Sequence, residues 1–187
     1  MAFVVEDGTG LTNANAYIAV AFADAYFADR GIEAWSDIDD SAIKQQAIVR
    51  ATDYLDLRYR DAFKGDPATD AQALLWPRVA ERASCVLPGF YSVGSADSSF
   101  PTAQVPVAVQ KACAEYALRA LTTTLAPDPV MDETGRPVAS TSEKVGPIEE
   151  KIEYVKVTAP SQFVPYPAAD NLLRPVLKPT SGRVVRA

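Results

Sequence analysis

Histidine is absent from the 187-residue chain. That removes the commonest general base, the Ser-His and Cys-His nucleophile pairs, and imidazole metal ligands together. The only cysteines, Cys85 and Cys113, are too few and too far apart in sequence for a zinc cluster. They read as small apolar fillers of a reduced protein made in the cytosol. No Gly-rich phosphate loop and no GxSxG elbow occurs. The expectation is therefore no enzyme, no metal and no cofactor. Long hydrophobic runs are missing too: the longest, Ala16 to Ala23, is far too short to span a bilayer. The start, MAFVVEDG, has no basic region, so neither a signal peptide nor a membrane partner is expected.

Positive charge is also in short supply. Eighteen Lys and Arg face 24 Asp and Glu, giving a net charge of −6, which argues against a general nucleic-acid or anionic-membrane binder. The imbalance sits in residues 1–40, with eight acids and one base. The last fourteen residues carry Arg174, Lys178, Arg183 and Arg186 and no acid. Oppositely charged ends of this kind suit head-to-tail contact between copies, or simply a solvated surface.

What is present is helix. Residues 104–125 place apolar side chains at Val109, Ala112, Cys113, Tyr116, Ala117, Ala120, Leu121 and Leu125, one buried face of a helix opened by Pro106. Lys111, Glu115 and Arg119 fall on the other side as solvated partners. A second helix is expected over 41–59, capped by Asp39 or Asp40, with the stripe Ile43, Ala47, Ile48, Ala51, Tyr54, Leu55, Tyr59. A third runs from Val20 to Arg30, burying Ala23, Tyr26 and Phe27 and closed by Gly31; Trp35 follows as an anchor. Phe3 to Val5 reads as a strand with Ala16 to Ile18 as its hairpin partner, and Asp70 to Leu75 as a short helix. Residues 79–103 read as mostly irregular.

Beyond Ala126 the composition changes, with nine of the fourteen prolines in the final 61 residues. The fold class expected is mainly α: a small helical bundle over residues 1–126 with a short N-terminal β element, then an extended proline-rich arm over 127–187. Within the arm, 142–157 could form edge strands and 170–177 one or two helical turns. Its apolar side chains have no core of their own. Val145, Ile148, Ile152, Tyr154, Leu172 and Leu173, with Arg174, Lys178, Arg183 and Arg186, are the candidate partner-binding residues.

Two further patterns carry chemistry weakly. Asp37 to Ser41 begins like a calcium loop, but Ala42 stands where the turn needs glycine and Ile48 where a bidentate Glu belongs, so helix-capping acids are the ordinary account. Residues 54–64, YLDLRYRDAFK, interleave aromatics with bases and continue to Trp76-Pro77-Arg78. Arg58, Tyr59, Arg60, Lys64 and Arg78 are thus the candidate contacts for single-stranded nucleic acid. Tyr54, Leu55 and Tyr59 also belong to the apolar stripe, and Asp53, Asp56 and Asp61 cancel much of the charge, which favours a core-plus-interface reading.

Four segments carry a family resemblance: residues 7–18 (DGTGLTNANAYI), 23–31 (ADAYFADRG), 51–56 (ATDYLD) with Gln72 and 75–78 (LWPR), and 142–149 (SEKVGPIE). Together they resemble phage and prophage proteins of the DnaT-like single-stranded-DNA-binding family, which are similar to head–tail connector adaptors of long-tailed phages. The resemblance implies a structural adaptor, made in the bacterial host and placed in the virion neck. It implies a homo-oligomeric ring, a dodecamer, beneath the portal protein, with packaged DNA passing through it. A stopper or tail protein would bind below, and a C-terminal arm would reach the portal or a neighbouring subunit. The other label implies a replication-type single-strand binder.

Overall fold

The computed structural model describes residues 2–79, 104–128, 138–144, 149–154 and 163–178, with the backbone alone in 138–144 and 149–154. The fold is mainly helical, a small bundle. Helix α1 is Val20–Ala28, α2 Glu33–Ser36, α3 Ser41–Tyr59, α4 Val107–Ala120 and α5 Pro167–Leu173, with a 3-10 turn over Arg174–Val176. The chain divides into two compact units, residues 1–123 with 166–187, and residues 124–165.

In the first unit α3 packs on α4, α4 on α5, and α1 on α2, α3 and α4. The core follows the stripes. Ala47, Ile48, Ala51, Tyr54, Leu55 and Tyr59 of α3 are buried, as are Val109, Ala112, Cys113, Tyr116, Ala117 and Ala120 of α4. Ile43 is the stripe residue of α3 left in solvent, at 42% exposure. Asp40 starts α3, its carboxylate accepting from Ala42 N at 2.8 Å. Gly31 closes α1 with φ +63°, so that Ile32 N donates back to Phe27 O at 3.1 Å. Trp35 is buried as expected, on α2. Its Nε1 donates to Asp24 Oδ1 at 2.7 Å and its ring lies 5.2 Å from that of Phe27.

Three local expectations are corrected. The N-terminal pairing is no hairpin: the Val5–Ala16 bridge is parallel. Asn15 sets it, its Oδ1 accepting from Val4 N at 2.9 Å and its Nδ2 donating to Ala2 O at 2.8 Å. The intervening loop wraps around the buried Glu6 carboxylate, which accepts from Gly8 N and Gly10 N at 2.9 Å and from Leu11 N at 3.0 Å. Residues 70–75 form turns instead of a helix, because the Gln72 side chain takes main-chain partners: it accepts from Thr69 N at 3.0 Å and donates to Pro77 O at 3.0 Å. Glu115 is not solvated. It is buried and accepts from Tyr26 Oη at 3.0 Å and Arg119 Nη1 at 2.8 Å, tying α1 to α4.

The helical turns expected over 170–177 are present, and they belong to the body. Residues 167–176 are helical and pack on α4, with Ala169, Leu173 and Val176 buried. Phe63 and Leu177 form an antiparallel bridge; Lys64 N donates to Val176 O at 3.0 Å and Lys178 N to Ala62 O at 2.8 Å. The second unit begins at Thr124, and the chain returns to the first unit at Tyr166. The reason is the alternation of Ala169, Leu173 and Val176 with polar positions, which gives this segment a buried face of its own.

The second unit contains strand β3, Val138–Lys144, antiparallel to β4, Glu149–Tyr154. In the first unit a shorter pair, β1 (Asp66–Pro67) and β2 (Arg78–Val79), closes the 65–79 loop.

Candidate functional site

Polar side chains gather at two places on the first unit. The first is where α5 meets α3 and α4. Asp170 accepts from Tyr59 Oη at 3.0 Å, Arg58 Nη2 at 3.0 Å, its own-turn Tyr166 N at 3.0 Å, and Tyr116 Oη in a short bond. Arg58 Nη1 also donates to Tyr54 Oη at 2.7 Å. Three tyrosine rings stack edge to face around this point, with Tyr54–Tyr116 centroids 5.0 Å apart and Tyr116–Tyr166 5.9 Å apart. Burial pushes the Tyr59 phenol up to about 12, and burial with the bond to Asp170 holds Tyr116 higher still. Tyr59 and Tyr116 therefore stay protonated donors to Asp170. A carboxylate receiving four donors is an acceptor already filled, a clasp rather than a catalytic base.

The second place is the 65–79 loop against the C-terminal half of α3. Asp56 reaches from α3 to receive Leu75 N at 3.1 Å and a short bond from the buried Tyr17 Oη. Burial raises its carboxyl to about 6. Arg78 is buried and donates to Lys64 O at 2.8 Å, to Leu75 O at 3.4 Å and to Gly65 O in a short bond. Phe63 and Trp76 pack edge to face beneath them at 5.6 Å. Outside these anchors lies a cleft of about 320 Å³, lined by Asp56, Arg60, Thr69, Asp70, Gln72 and Leu75. Its charges are mixed, Arg60 against Asp56 and Asp70, so it offers no uniform field for a phosphate backbone.

The candidate nucleic-acid residues are therefore dispersed in role. Tyr59 and Arg78 are buried in the two clusters, and Trp76 with them. Arg58 is paired with Asp170, and Lys64 Nζ donates to Pro175 O at 3.0 Å. Arg60 is exposed beside the cleft. The arm candidates also separate. Leu173 is buried in the body and Leu172 half-buried, whereas Arg174 and Lys178 are exposed. Ile152 and Tyr154 lie on β4. Val145, Ile148, Arg183 and Arg186 lie outside the described residues.

Sequence reasoning passed over Asp170 and Glu6 and took Asp56 only as an acid cancelling nearby charge. Asp170 had one local signal, an acid in the first turn of a helix opened by Pro167. Its partners at 58, 59 and 116 lie more than fifty positions away, and no pattern in a single sequence points to them. Among the described residues no group of His, Cys, Asp and Glu could hold a metal ion, and no helix is long and apolar enough to cross a membrane.

The residues quoted above as a resemblance, Asp56, Gln72 and 75–78, are those that build the 65–79 loop. A family model matches residues 1–187, the whole chain, under the description "Putative DnaT-like ssDNA binding protein". The chain belongs to that DnaT-like family. No curated protein and no solved structure matches it. In this family member the LWPR segment serves the loop's interior, since Arg78 spends its donors on main-chain carbonyls.

Proposed function

We propose that the chain is a structural connector, an adaptor that forms a ring below the portal of a long-tailed bacteriophage and joins head to tail. The observation that carries this reading is the fate of the aromatic and basic side chains at 54–78. Tyr59, Trp76 and Arg78 are buried, and Arg58 is committed to Asp170. A single-strand platform needs those groups on the surface, where bases stack and phosphates are neutralised. The net charge of −6 points the same way. A closed helical body and a separate strand-pair unit suit a protein whose work is contact with other chains. On this reading the protein performs no turnover, and its partners are its own copies, the portal and a stopper or tail protein.

The second reading, single-stranded-DNA binding, is favoured by the family description. Fluorescence anisotropy with a labelled oligonucleotide separates the two. The connector reading predicts weak binding that disappears at physiological salt, because few phosphates could be neutralised. Sub-micromolar, salt-tolerant binding that Arg60→Ala abolishes would establish the second reading.

A further inference from the structure

Each strand of a two-stranded sheet leaves one edge of N–H and C=O groups that its partner does not take, and a sheet of two strands is marginal in water. Among the described residues β3 and β4 pair with each other and with no third strand. The two strands differ in charge. Strand β4, EEKIEY, carries Glu149, Glu150 and Glu153 against the one base Lys151. Strand β3, VASTSEK, has no charge from Val138 to Ser142 and no proline to block its ladder. The pairing within the chain sets Glu143 opposite Glu150 and Lys144 opposite Glu149.

We propose that the β3 edge is the self-assembly surface of this chain, and that its occupant is β4 of a second copy. The inference rests on the connector reading and gives it a contact. Two β4 strands paired antiparallel about their midpoint would set Glu150 against Glu153 twice, so β4 rejects β4. The uncharged run of β3 accepts β4 without that penalty. A register with Thr141 opposite Glu150 sets Ser140 against Lys151 and Ala139 against Ile152, with no like charges facing. The same edge-to-edge contact, repeated from copy to copy, is heterologous, so it closes into a ring when the rotation permits. Main-chain bonds supply the affinity, and the glutamates of β4 supply the direction.

The test is the mass of the full chain in solution, by light scattering, for wild type, Thr141→Glu and Thr141→Lys, with circular dichroism to verify the helical body. Wild type is expected to oligomerise with rising concentration. Thr141→Glu should shift that association at least tenfold towards the free chain, whereas Thr141→Lys should retain or tighten it, because the facing strand is acidic. Loss in both variants would overturn the heterologous pairing, and unchanged assembly in Thr141→Glu would overturn the β3 edge while leaving the connector reading standing. A wild-type chain that stays monomeric at all concentrations, alone and with its portal, would remove the connector reading itself.

Discussion

Tyr59 and Asp170, 111 positions apart in sequence, meet in a hydrogen bond of 3.0 Å that fastens α5 to α3. The same carboxylate takes Arg58 at 3.0 Å and the Tyr116 hydroxyl. Removing Asp170 takes away the acceptor that these donors share, leaving Arg58 its bond to Tyr54 and the Tyr59 and Tyr116 hydroxyls each other at 3.2 Å.

Asp170→Ala should therefore cost roughly 2–4 kcal/mol, the cost of losing a partly buried ion pair and the acceptor shared by two buried hydroxyls. Tyr59→Phe, which removes one donor and leaves the carboxylate its other partners, should cost only about 1 kcal/mol. Urea unfolding followed by circular dichroism measures both. Equal and small losses would show that α5 is held by apolar packing alone.

Tyr116 is fully buried, with its ring against those of Tyr54 and Tyr166. Tyr116→Ala should cost roughly 3–5 kcal/mol. A loss under about 1 kcal/mol would mean that the bundle does not depend on this contact.

Asp56 gives the chain a pH dependence of definite sign. Burial raises its carboxyl from 3.8 to about 6, so the folded state holds that proton more tightly than the unfolded one. Its contribution is fully present below pH 4 and is lost as pH rises through 6, by about 3 kcal/mol in all. Asp56→Asn should remove this component, so that the difference in unfolding free energy between variant and wild type grows from pH 4 to pH 7. A constant difference across that range would contradict it.

Cys113 is fully buried, and burial pushes its thiol up to about 12. In a Cys85→Ser background the native protein should react with a thiol reagent at pH 8 at least about a hundredfold more slowly than the protein in denaturant. Rapid labelling of the native chain would mean that the α3–α4 core opens readily.

The helices were legible because their signals are local. Asp40 and the stripe from Ala47 to Tyr59 mark α3 to the residue, and Gly31 marks the end of α1. The apolar stripe of α4 named its buried face, but Glu115 on the opposite side is buried as well, through its bond to Tyr26 eighty-nine positions earlier. The 65–79 loop was not legible for a related reason. Its shape is held by single side chains, Asp56, Gln72 and Arg78, each taking main-chain groups that a helix or strand would have paired internally. The same chemistry misleads at the candidate site. Tyr59 and Arg78 have the residue types of a nucleic-acid contact, and only their partners show that they serve the interior.

The connector account is tested most directly by electron microscopy of the purified full-length chain mixed with its portal protein. The account predicts an added ring of density on one face of each portal, with the symmetry of a closed homo-oligomer. Bare portals, with the chain monomeric alongside them, would contradict it.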